Sequence, residues 1–277
     1  MKFFARHERT IFTLFGLAFL ILIWWIVAVL LQQNGTTLFL TPRETVSRML
    51  QLCFGKEAGS TFSAIGWTLF RLVLGFVFSF FLAGVLGTLA GLFPKLRHFL
   101  KPFVGLSRSI PTAAVVLIFM GLLIHPRLLP VLDYVPCFLT TMIAFPILYE
   151  AFAKGIEEEE EDVNMSLELE CGKRSFAAVV YVLWPDSLPY ISLGLVQALG
   201  LSLKVTIMSE VLTANNASHR GIGTLIFRSQ TDPLFRTEDI LPYSMIALLL
   251  MMILDIPNWI LRNRINRKQN GNSSAQS

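Results

Sequence analysis

Gly155–Pro189 reads GIEEEEEDVNMSLELECGKRSFAAVVYVLWPDSLP. Six acids in a row, Glu157 to Asp162, lead into a mixed stretch that ends at Gly172. A basic pair follows, Lys173 and Arg174, then an apolar run and two prolines, Pro185 and Pro189. This is the longest strongly charged segment of the chain, and the sequence on either side of it is apolar. A soluble insert between membrane spans is where such a protein meets a soluble partner.

The composition supports that context. Of 277 residues, 54% are hydrophobic and only 15% are charged, against about 25% for a soluble domain. Mean hydropathy is +0.61, and apolar runs near the ~20-residue spanning length recur along the chain. The expected class is an all-α polytopic membrane protein. Cys53, Cys137 and Cys171 form no CxxC, and the four histidines are scattered. Neither a disulfide framework nor a metal site is indicated. The basic charge sits at membrane edges, where it reports topology and not nucleic-acid binding.

Six spans follow from the pattern, at about 11–31, 65–93, 103–124, 129–152, 188–212 and 240–261. The first is read as a retained helix, because it is long for a signal peptide and no small-x-small cleavage site precedes Gln32. Between spans 1 and 2, Thr41-Pro42-Arg43-Glu44 reads as a capped helix start. Span 2 carries Arg71 and the glycines Gly75, Gly84, Gly87 and Gly91; Gly87 and Gly91 make a small-xxx-small pair that suits close helix packing, with a glycine-lined pore as the alternative. The stretch from Pro94 to Lys101 is cationic and reads as a cytoplasmic turn. Span 3 is interrupted at Ser109-Ile110-Pro111, beside Arg108. The tail 262–277 is expected to be disordered, after Arg262, Arg264, Arg267 and Lys268. The positive-inside rule places residues 1–10, the 94–101 turn, the 154–187 loop and the tail in the cytoplasm, with 11–261 forming the membrane domain of an inner-membrane protein.

Within the opening stretch, Gly172 is followed by nine residues and then Val182-Leu183-Trp184-Pro185. With this spacing the chain resembles the permease subunits of bacterial ABC importers, whose cytoplasmic signature reads EAA, three residues, Gly, nine residues, Ile, one residue, Leu-Pro. The resemblance is closest to the nitrate/sulfonate/taurine subfamily. Trp67-Thr68-Leu69-Phe70-Arg71 with Gly75, then Pro102, Arg108, Ile110-Pro111 and Gly121, then Glu210 and Gly221-Ile222-Gly223, look like its other motifs. The resemblance implies a type I ABC importer permease fold with six transmembrane helices. It implies ABC ATPase subunits as partners, a second permease copy (a homodimer) or a similar permease, and an extracytoplasmic substrate-binding protein. ATP and Mg would sit on the ATPase, with no cofactor on this chain. Nitrate, sulfonates, taurine, thiamine precursors and riboflavin are carried by relatives. The 154–187 loop would be the ATPase-coupling element, through Asp162, Ser166, Glu168, Gly172, Lys173 and Pro185. Three positions depart from the pattern. Ser166-Leu167-Glu168 stands where EAA is expected, Trp184 replaces leucine, and Lys204 replaces an aromatic residue.

The loop also makes sense residue by residue. A helix of about 15 residues from Glu157 would be roughly 22 Å long. Its acids would lie at the positive end of the dipole, with Gly172 as a stop and Lys173 at the negative end. Charged and polar groups at membrane depth are functional candidates by default. Here they are Arg108, Gln197, Lys204 and Glu210. Lys204 either faces a solute path or pairs with Asp133 or Asp255. Lys204 and Glu210 lie about 240° apart on one helix and do not pair with each other. No nucleotide-binding P-loop and no catalytic cluster is present, so a transport subunit and not an enzyme is expected. The competing reading is an ion-coupled secondary transporter using Lys204 and Glu210. Such proteins usually show repeated halves, and this sequence does not.

Overall fold

A computed structural model describes residues 2–33, 39–122, 129–157, 179–214 and 219–273. Among these residues the regular structure is helical, with no strand. Nine α-helices lie within them: α1 (Lys2–Gln33), α2 (Pro42–Phe54), α3 (Ala58–Leu92), α4 (Pro94–Ser109), α5 (Thr112–Leu122), α6 (Val135–Glu157), α7 (Trp184–Thr213), α8 (Ile222–Thr231) and α9 (Ile240–Ser273). A 3-10 turn at Leu129–Tyr134 precedes α6, a π turn at Val179–Leu183 precedes α7, and a 3-10 turn at Thr237–Asp239 precedes α9.

Five helices are long and apolar enough to cross a membrane, and α4 with α5 makes a sixth if the pair counts as one crossing bent by 89°. Packing decides that question. Along α3, Gly75 meets Cys137 and Thr140, Gly87 meets Tyr149 and Phe152, and Gly91 meets Ala153 and Ile156. The numbers rise together, so α3 and α6 run parallel. A chain that descends in α3 and descends again in α6 must climb between them, and residues 94–134 make that climb. Arg97 of α4 lies beside Glu157, at the end of α6. Arg108 reaches Pro146, half-way along α6. Val115 and Val116 of α5 pack with Leu132, Val135 and Leu139, at its start. The break at Ile110-Pro111 is therefore inside the bilayer, where proline cannot donate to the preceding turn.

The core is the α3–α6–α7 sheaf. In α7, Gly194 faces Ala151 and Ser187 faces Gly155 of α6, and Thr140 and Thr206 share a hydrogen bond of 2.7 Å. These contacts make α7 antiparallel to α6. By contrast α1 is barely buried, with 6% of its apolar window covered. It is held to the next segment by the Trp24 indole N–H on the Leu40 carbonyl (3.2 Å) and by Gln32 on Glu44 (3.0 Å).

Two expectations change. The cationic stretch from Pro94 to Lys101 is not a turn but the first half of α4. Phe93 alone is extended (φ −123°, ψ 94°), and Pro94, with its φ preset, restarts a helix at once. Span 3 thus begins at Pro94 and not at residue 103. The tail is helical to Ser273, past the expected end of the span at Leu261. Adding residues to an existing helix needs no new nucleus, and Arg, Lys and Gln are good helix formers. The turn signals at Asn34-Gly35 and His125-Pro126-Arg127 lie outside the described residues.

The capped start of α2 is present as read. The Glu44 amide donates to the Thr41 hydroxyl at 3.4 Å, and the Thr41 amide donates to the Glu44 carboxylate at 2.9 Å. That backbone donation, with help from the Thr41 and Gln32 side chains, holds the Glu44 carboxyl below its ordinary pKa. A depressed carboxyl contributes stability above its unfolded pKa, and the contribution fades as pH falls through the folded value. Thermal unfolding of wild type and Glu44→Gln from pH 7 to pH 3 should therefore show a small stability gap that closes at the acid end. A gap of constant size would show that the carboxylate contributes nothing.

Candidate translocation groove, loop base and buried charge cluster

Three groups of functional residues separate in space. The first is a pair of grooves on either side of α7. One, of about 630 Å³, lies between α7 and α9 and is lined by Gln197, Gly200, Lys204 and Asp255 among others. The second, of about 680 Å³, lies between α7, α6 and α4 and is lined by Ser107, Arg108, Glu150, Lys154, Tyr190 and Gln197 among others. They share the ridge Leu193–Gln197–Leu201, spaced i, i+4, i+8 along one helix face. Lys204 and Gln197 are exposed on this face. Arg108 sits at the break in the α4–α5 crossing and donates to the Pro146 carbonyl at 2.9 Å. So Arg108, Gln197 and Lys204, chosen from sequence, line two grooves that adjoin along one ridge of α7.

Glu210, the fourth, is not with them. It is 1% exposed and belongs to a second group, at the end of the bundle where α3 and α6 start and α7 finishes. Its carboxylate accepts from the Arg71 guanidinium (2.8 Å), the Thr68 hydroxyl (2.8 Å) and the Gly223 amide (3.1 Å). Arg71 also donates to the His219 carbonyl (2.9 Å) and lies 3.5 Å from Asp133, whose other oxygen meets the His219 ring at 3.1 Å. The Trp67 ring stacks on His219 at 3.9 Å. The arrangement explains two glycines. A Cβ on Gly221 would lie 2.1 Å from the Glu210 carboxylate, and one on Gly223 would lie 2.3 Å from the Ile207 carbonyl. Glu210 thus ties the start of α8 to α3 and α7.

This cluster also removes one proposed partner of Lys204, since Asp133 is engaged by Arg71 and His219. Asp255 remains in the same groove as Lys204. Sequence reading named Arg71, Asp133 and Glu210 separately and did not join them. The available signal was depth: each lies within about two turns of the same membrane edge once the spans are laid antiparallel. Nothing in the sequence pointed to the His219 carbonyl.

The third group is the base of the 154–187 loop. Asp162, Ser166, Glu168, Gly172 and Lys173 lie outside the described residues, whereas Pro185 is in the first turn of α7. Both feet of the loop are described. Ile156 at one foot packs with Val179 and Leu183 at the other, against Leu92 and Val182. Trp184, the departure from the family pattern, donates its indole N–H to the Thr88 hydroxyl of α3 at 3.1 Å. Its ring also lies 6.0 Å from that of Phe152. A leucine would supply the apolar contact but not the hydrogen bond.

Parallel and antiparallel crossings around a broken helix, with two adjoining grooves along α7, define a multi-pass membrane protein. Residues 83–268 match the family of binding-protein-dependent transport system inner membrane components. The chain belongs to that family and is an ABC importer permease, with an all-helical type I fold. Members are transport components and not enzymes. A comparison with curated proteins finds no match.

Proposed function

We propose that this permease moves a small anionic or polar solute along the α7 face, and that its 154–187 loop receives the force of ATP hydrolysis from a separate ATPase chain. The observation that carries the solute reading is the convergence of Arg108, Gln197 and Lys204 on two adjoining grooves beside the break in the α4–α5 crossing. Discontinuous helices at membrane depth free backbone groups for a solute while neighbouring protein covers them. Cations on that wall favour an anionic ligand. The grooves are open on one side, which suits completion by a second permease, and a two-fold homodimer is the simplest assembly. The loop lies on the cytoplasmic side in this reading, as do both termini. The surface of α2 and α8, where the Arg48 guanidinium donates to the Asp239 carboxylate at 2.7 Å, faces an external binding protein.

The separation of Lys204 from Glu210 favours this reading over an ion-coupled transporter that would use both. Lys204 is exposed in a groove, while Glu210 is enclosed by Arg71, Thr68 and Gly223.

Lys204→Met tests the solute role. A charge-assisted contact is worth about 1.5–3 kcal/mol, so uptake efficiency should fall on the order of ten- to hundredfold with the folded permease retained. Unchanged uptake with reduced thermal stability would instead assign Lys204 to a structural pairing with Asp255.

A further inference from the structure

We infer that Arg97 is the positioning residue that ties the broken α4–α5 crossing to the base of the loop, so that movement of the loop reaches the groove at Arg108. The inference rests on the coupling role proposed above for the 154–187 loop.

Glu157 is the last residue of α6, at one foot of that loop. Its carboxylate accepts from the Arg97 guanidinium. A second carboxylate, Glu150, lies two turns back on the same face of α6, 4.0 Å from the other arm of Arg97. Arg97 is therefore bonded to Glu157 and lies within Coulombic reach of Glu150, which favours its position on this face of α6. Arg97 is 25% exposed and Glu157 55%, so solvent reaches the contact mainly from the carboxylate side.

The surroundings show why this tie matters. A pocket of about 410 Å³ opens along the α4–α6 seam, lined by Gly91, His98, Lys101 and Tyr149 as well as by the ion-paired residues. The Tyr149 hydroxyl is buried there without a protein partner. Side-chain packing is thus interrupted where Arg97 sits, and the ion pair sets the spacing of the two helices. Further along, Val104 is buried against α6 and α3, and Arg108 holds the Pro146 carbonyl. Arg97 and Arg108 are eleven positions apart on α4, about 16 Å of helical rod in which Pro102 leaves one ladder bond unmade. At its end comes Ile110-Pro111, where the helix ladder is broken and rotation is easiest. A displacement of Glu157 is delivered through Arg97 to one end of this rod. The other end carries Arg108 and Ser107, which line the groove.

The test uses the full permease with its ATPase, in membranes, with Cys53 and Cys171 replaced by serine and buried Cys137 kept. A thiol is introduced by Ser107→Cys, and its rate of modification by a water-soluble maleimide is read in the resting complex and after trapping with ATP and vanadate. The parent should change rate at least fivefold on trapping. Adding Arg97→Gln should leave ATP hydrolysis in place and reduce the change to less than twofold. The swap Arg97→Glu with Glu157→Arg should restore it, which a loss of folding would not allow. A change in Arg97→Gln equal to that of the parent overturns the inference, as does a parent that shows no response at position 107. A separate Glu168→Cys chain distinguishes the two levels. If the ATPase does not shield that thiol, the coupling role of the loop fails. If it does and Arg97→Gln has no effect, only the role of Arg97 fails.

Discussion

Arg71→Leu is expected to destabilise the folded permease by about 3–5 kcal/mol, the range for removing one partner of a buried ion pair. Arg71 is 2% exposed and Glu210 1%. Without the guanidinium, Glu210 must stay charged among apolar helices or take up a proton. The Thr68 hydroxyl and the Gly223 amide still point at it, but neither carries a charge. Asp133 loses its neighbour at the same time. The damage should be local to the end of the bundle where α3, α6, α7 and α8 meet. The double variant Arg71→Leu/Glu210→Leu should recover part of the loss, since well-packed apolar residues can replace a buried pair at little cost. Thermal unfolding in detergent, wild type against the single and double variants, reads both effects. A loss below about 1 kcal/mol for Arg71→Leu would mean that the cluster is decorative.

The second large effect comes from glycine. A Cβ on Gly75 would lie 2.4 Å from the Cys137 carbonyl oxygen and 2.8 Å from the Thr140 Cβ. One on Gly87 would lie 2.8 Å from the Tyr149 carbonyl oxygen. Backbone cannot move aside as a side-chain tip can, so α3 and α6 must separate. Overpacking of this kind costs about 1–3 kcal/mol per site, against a gain of about 1 kcal/mol from alanine's better helix propensity. Gly75→Ala/Gly87→Ala should therefore be clearly destabilised. Gly84 is an internal control on the same helix. Its Cβ would rest 3.5 Å from the Phe152 ring, an ordinary contact, so Gly84→Ala should be neutral or slightly stabilising. Equal effects at Gly75, Gly84 and Gly87 in thermal unfolding would refute the close-packing account.

How far the sequence carried this picture depends on the kind of information each feature needs. The crossings were legible because a membrane-spanning helix needs a long apolar window, and α3, α6 and α7 each contain one despite their few charges. The break at Ile110-Pro111 was legible because proline acts locally. The close packing of Gly87 and Gly91 was legible as a small-xxx-small pair, whereas the tight contact at Gly75 and the looser one at Gly84 were not. The start of α4 was misread because its cations mark a membrane edge equally well in a turn or in a first helical turn. The Arg71–Glu210–Asp133 cluster was not assembled, because 139 residues separate Arg71 from Glu210. Only the parallel course of α3 and α6, with α7 antiparallel, brings them together. Trp184 looked like a flaw in the signature and is instead bonded to Thr88, a partner 96 residues away. Arg97 passed as one more positive-inside residue, and its bond to Glu157 depends on α4 continuing as a helix.

The loop role is the claim on which the rest depends, and purification of the full chain from native membranes tests it most directly. The account predicts that an ATPase on a separate chain co-purifies in equal proportion and that the solubilised complex hydrolyses ATP. It also predicts that substitutions at Glu168 and Gly172 in the loop weaken that association. A permease that purifies alone, with no ATP hydrolysis and no sensitivity to the loop, would contradict it.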